Sequence, residues 1–170
     1  MRGRPAWLWI LLVITGVALV PAVMTDAFFL RLFTEALMWI GLAITWDIMA
    51  GYIGYLNFGH GVFFGVGAYT TALFMIKAGV PFGPAAALGG VAAGVVALVS
   101  GWPTLRLRGS YFAIGTWALN RAVGQLALVL DVTGGADGMR LPPFLRPQFF
   151  SWVMTGVVGA TFLVLWLLLE

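Results

Sequence analysis

The chain has 170 residues, 62% of them hydrophobic and 9% charged, with a mean hydropathy of +1.02 and a formal net charge of +3. Soluble domains carry roughly a quarter of their residues as charges, so a soluble enzyme is excluded, and the 23 glycines and eight tryptophans of so apolar a chain fit membrane helices. The absence of cysteine and the single histidine, His60, exclude disulfides, thiolate chemistry and histidine-cluster metal sites, while nine scattered Lys and Arg residues make no nucleic-acid surface.

In chain order, residues 6–24 form a charge-free run behind Arg2 and Arg4, long enough to span a bilayer as a helix. The alternative for this run is a signal peptide cut after Ala22. Residues 28–50 form a second crossing, with Arg31 and Glu35 at i,i+4 near one end and Asp47 near the other. From 48 to 76 no Lys, Arg, Asp or Glu occurs, but Gly51, Gly54, Gly59, Gly61, Gly65 and Gly67 make the first part a poor straight helix. A broken or re-entrant start over 51–59 is expected, followed by a helix to Ile76.

Lys77, Gly79, Pro81, Gly83 and Pro84 read as a turn. The next crossing covers 85–102 and ends at Pro103, Arg106 and Arg108. Residues 110–130 form a fifth segment, the least lipid-like, with Asn120, Arg121 and Gln125 in its second half; such groups face a bundle interior or water. Residues 131–147 read as a loop and 148–169 as the sixth segment. The expected fold is an all-α, polytopic transmembrane helix bundle of about six segments.

The stretch Leu56-Asn57-Phe58-Gly59-His60-Gly61-Val62-Phe63-Phe64-Gly65-Val66-Gly67-Ala68-Tyr69-Thr70 resembles the LivM-type permease subunits of branched-chain amino acid ABC transporters. Residues 105–116, from Leu105 to Thr116, resemble the second recurrent stretch of that family, and Thr133-Gly134-Gly135-Ala136-Asp137-Gly138-Met139 its third, in the expected order. Gly61 departs from the family, where alanine is commoner, and Trp117 and Asn120 make the following turn bulkier and more polar. The resemblance implies half of a translocation pathway for branched-chain or related small amino acids. It implies a second, LivH-like permease subunit, two ABC ATPase subunits that use the ATP, an extracytoplasmic solute-binding protein and surrounding membrane lipid as partners. No cofactor is expected in this chain, and no enzyme activity. The implied location is a bacterial or archaeal cell (inner) membrane, multi-pass, with the N-terminus, Arg106 and Arg108 inside and the loop of Thr133, Gly134, Gly135, Asp137 and Gly138 outside. Four Arg on the inner side against three or four Lys and Arg outside is a weak agreeing bias. Family permeases are longer, so residues 1–170 are expected to be a single transmembrane permease domain that stops before the cytoplasmic coupling helix.

The residues also have a reading of their own. Gly61 and Gly65, like Gly90 and Gly94, form Gly-x-x-x-Gly pairs that let helix backbones approach. Asn57, Gly59, His60, Gly61, Gly65, Gly67 and Tyr69 are therefore candidates for either a packing seam or a solute path. Unpaired backbone over 51–59 would be tolerated only in a protein-lined or wet cavity. Asp47, His60 and Arg121 leave open a secondary transporter or channel with a proton or ion path, against simple placement at a membrane surface. A structural scaffold that moves no solute is the third alternative.

Overall fold

The computed structural model describes residues 15–17, 19–23, 26–141 and 147–169. Among them the regular structure is helical, with no strand. Most of the first predicted crossing, and the signal-peptide alternative with it, lies outside the described residues.

Helix α1 covers Ala27–Asp47 and opens on Asp26, whose carboxylate accepts the Phe28 N–H at 2.8 Å. That bond satisfies one of the amides a helix start leaves without an internal partner. The helix runs on into a π-helical turn, Ile48–Ile53, which stops at Gly54 with φ +73°, a left-handed value that only glycine takes readily. Residues 54–59 have no regular structure, and α2 begins at His60 and ends at Ala78. Gly79, at φ +63°, caps it.

Helix α3 covers Phe82–Thr104 and therefore starts three residues earlier than the turn residues imply. The bend is confined to 79–81. Pro84 lies in the first turn of α3, where a missing N–H leaves no helical bond unmade. Helix α4 covers Ser110–Val129, after a turn in which Gly109 takes φ +57°. Two short 3-10 turns follow, Asp131–Thr133 and Gly135–Asp137, and α5 covers Pro147–Leu169, with proline in the favoured first position.

The helices divide into two compact units, one holding α1 and α5, the other running over Met49–Pro143. In the first unit, Leu30, Leu37 and Gly41 lie buried along one stripe of α1 against α5. The Thr34 and Ser151 hydroxyls meet at 2.7 Å, and Ser151 is fully buried. In the second unit α2 and α3 fold back on each other through their three-residue turn. Their backbones approach closely at Gly67 and Gly89. A Cβ built at Gly89 would lie 2.5 Å from the Gly67 carbonyl oxygen and collide with Thr71 Oγ1. Such approach is how helices associate in lipid, where the surroundings are as apolar as the side chains. Among the described residues a Cβ at Gly65, Gly90 or Gly94 meets nothing beyond its own helix within 4 Å, so the α2–α3 seam runs through Gly67 and Gly89, while Gly61 faces Asn120 of α4.

Among the described residues four helices are long and apolar enough to cross a membrane, Ala27–Ile53, His60–Ala78, Phe82–Thr104 and Gln148–Leu168. At 1.5 Å per residue even the shortest, with 19 residues, reaches about 28 Å. Helix α4 has the length and a single charge, Arg121, so its polar residues lower its hydropathy below the other four. Only about a tenth to a sixth of each span is buried within the chain. Phe29, Trp39, Val91, Leu98 and Val99 are among the large side chains left exposed, which suits a multi-pass membrane protein.

Candidate functional site

The interruption between the π-turn and α2 carries four side-chain hydrogen bonds, two of them from α4. Asn57 is buried, 6% exposed, and its side-chain oxygen accepts the Gly59 N–H at 2.7 Å. This is the two-residue reach by which asparagine folds its own backbone into a turn. Its amide nitrogen donates to Met49 Sδ at 3.2 Å. Gly59 is buried and stands at the start of α2, its carbonyl accepting from Val62 N–H at 3.0 Å.

The other side of the interruption is built by α4. Phe112, Thr116 and Asn120 are spaced by four and so share one face of that helix. Phe112 is buried and its ring packs against Tyr55 at 5.2 Å between centroids. Thr116, 4% exposed, accepts the Phe58 N–H at 3.1 Å while its own hydroxyl faces the Phe112 and Ala113 carbonyls, each at 3.0 Å. Asn120 donates from Nδ2 to the Phe58 carbonyl at 3.0 Å. A Cβ at Gly61 would sit 3.3 Å from Asn120 Oδ1. Gly61 and Asn120, two of the three residues that depart from the resembled pattern, thus stand against each other.

The remaining candidates spread along α2. His60 opens the helix and is half-buried, Gly65 and Tyr69 are half-buried, and Gly67 belongs to the α3 seam. Asn57, Gly59 and Gly61 are brought together with α4; Gly67 serves packing. In the sequence Thr116 stands out only as the end of the second motif stretch, and Asn120 as a departure and as a polar residue of the least lipid-like segment. Their four-residue spacing was the signal that both share a face. Asp47 and Arg121 are exposed.

The loop after α4 is tightly folded. Thr133 Oγ1 lies 2.6 Å from the Ala127 carbonyl and 2.7 Å from that of Leu130, tying the loop to the helix end. Gly134, Gly135 and Gly138 all have positive φ, and a Cβ at Gly134 would collide with the Gly138 carbonyl. Asp137 is exposed. At the end of α3 the Arg106 guanidinium lies over the Trp102 ring, 5.4 Å from its centroid, a cation on an aromatic face.

A family model described as branched-chain amino acid transport system / permease component matches residues 28–169. Two curated relatives are the high-affinity branched-chain amino acid transport system permease proteins LivM of Salmonella typhimurium and Escherichia coli. Each is 34% identical over 119 residues, which cover 69% of this chain and 28% of the relative. The chain thus spans little more than a quarter of the length of these relatives. No solved structure matches it.

Proposed function

The chain belongs to the family of branched-chain amino acid transport system permease components, and from that membership we propose that it forms half of the translocation pathway of an ATP-driven importer. The solute is a branched-chain or related small amino acid. Its partners are a second permease subunit, two ATPase subunits and an extracytoplasmic binding protein, and it lies in the cell (inner) membrane of a bacterium or archaeon. It catalyses no reaction itself and carries no cofactor; ATP is used by the ATPase subunits. The bundle has about six membrane segments, α4 among them, and the glycine-rich break between the π-turn and α2 belongs to the pathway.

The observation that carries this reading is the family match over 28–169, which takes in both the break and the loop after α4. Within the break, the backbone groups of 54–56, with the α2 positions His60, Gly61, Gly65 and Tyr69, are the candidates for the solute path. Irregular backbone in a membrane protein survives where protein or water surrounds it. The loop of Thr133, Gly134, Gly135, Asp137 and Gly138 lies on the outer side, as a gate or a contact for the binding protein.

Uptake of labelled leucine into membrane vesicles containing the assembled subunits tests the proposal. Uptake that depends on ATP and survives a protonophore supports it. Uptake that collapses with the proton gradient replaces it by a secondary transporter, and absence of flux under both conditions by a scaffold.

A further inference from the structure

Phe58 and Gly59 lie ahead of α2, outside its regular ladder, yet all four of their backbone polar groups are taken. The Phe58 N–H goes to Thr116, the Phe58 carbonyl to Asn120, the Gly59 N–H to Asn57 and the Gly59 carbonyl to Val62. Three of the four partners are side chains, and two of those come from α4, 58 and 62 residues further along the chain. A continuous helix would supply the same bonds from its own backbone four residues away. Here a second helix supplies them.

Thr116 is suited to this. Its hydroxyl proton is directed at carbonyls of its own helix, which leaves its oxygen free to accept. Both Thr116 and Asn57 are buried, and the Gly59–Asn57 bond is buried with them, whereas the Asn120 bond is exposed. The Asn120 amide lies close against Gly61, where a Cβ would stand 3.3 Å from its Oδ1. These contacts also occupy both amide N–H groups of 58 and 59, so neither donor is available to a solute.

We propose that Thr116 and Asn120 are positioning residues of the transport pathway: a two-point latch on Phe58 that holds the break against α4 and sets the residue at which α2 restarts. The inference rests on the permease reading above. Because the latch decides how His60 and Gly61 are presented, its loss alters solute recognition and not only the amount of folded protein.

The test compares Thr116→Val, Asn120→Leu and Thr116→Ser in the full chain within its assembled complex. Two quantities are measured, backbone hydrogen exchange over 54–62 and the KM of leucine uptake per assembled complex. Removing one side-chain bond should raise exchange over 54–62 about fivefold, with KM rising by a similar factor. Thr116→Ser, which keeps the accepting oxygen, should restore both. Unchanged exchange in Thr116→Val and Asn120→Leu overturns the latch. Faster exchange with an unchanged KM overturns its role in positioning, as does a loss that appears only in the yield of complex. Exchange decides the latch whatever the solute proves to be, so its failure is distinct from failure of the permease reading, which would appear as absence of uptake in the unsubstituted complex.

Discussion

Gly89→Ala tests the packing of α2 on α3 where their backbones approach closely. The added methyl would lie 2.5 Å from the Gly67 carbonyl oxygen and against Thr71 Oγ1. The carbonyl is backbone and cannot rotate aside, so the helices must separate. Overpacking of this kind costs about 1–3 kcal/mol, offset by the ~0.5–1 kcal/mol that alanine gains over glycine within a helix. The neighbouring Gly90→Ala has the same helix preference, and beyond its chain neighbours and its own helix backbone no described atom lies within 4 Å of its methyl. The difference between the two variants therefore isolates the packing term and should be about 1–3 kcal/mol in favour of Gly90→Ala. Adding Thr71→Ala to Gly89→Ala removes one obstacle but leaves the carbonyl, so recovery should be partial. Unfolding of the purified chain in detergent with increasing dodecyl sulfate measures all three. Gly89→Ala and Gly90→Ala agreeing within about 0.5 kcal/mol would refute the close approach.

In the α1–α5 unit, a double-mutant cycle of Thr34→Ala and Ser151→Ala should give a coupling of about 0.6 kcal/mol, the usual size for a membrane hydroxyl pair, since the two oxygens are 2.7 Å apart; strictly additive losses would show that the pair contributes nothing. Gly134→Ala forces a side chain into a left-handed backbone and onto the Gly138 carbonyl, so proteolysis within 131–139 should quicken severalfold while that of the α2–α3 turn stays the same, and equal protection of both forms would contradict the loop geometry. Because the chain has no cysteine, single cysteines report topology: one replacing Ala136 should react with an impermeant maleimide in intact cells and one replacing Thr104 should not, the reverse pattern inverting the proposed orientation.

Much of the helical layout is legible in the sequence because a charge-free apolar run of spanning length has few other stable forms. The ends of α1, α2, α4 and α5 lie within about three residues of the hydropathy limits. The start of α3, three residues ahead of the expected one, falls within the same limit, the difference arising because a proline that stops a helix from within is harmless in its first turn. The helix seam was less legible. Glycines at Gly61, Gly65, Gly90 and Gly94 mark small faces, but spacing along one helix does not say which face its neighbour meets, and the close approach of α2 and α3 falls at Gly67 and Gly89. The site divides in the same way. Asn57 and Gly59 could be singled out as polar or flexible residues in an apolar stretch, and Asn57 acts on its own backbone two residues on. That Asn120 holds the Phe58 carbonyl depends on two segments 62 residues apart being brought together, and no local pattern carries that information.

Proteoliposomes made from the assembly purified on a tag carried by this chain test the central claim most directly, through accumulation of leucine against its gradient. Accumulation should require hydrolysable ATP, fail with a non-hydrolysable analogue and disappear when the remaining subunits are reconstituted without this chain. Leucine that equilibrates without ATP, or accumulates equally well in the absence of the chain, would contradict its assignment as half of an ATP-driven amino acid pathway.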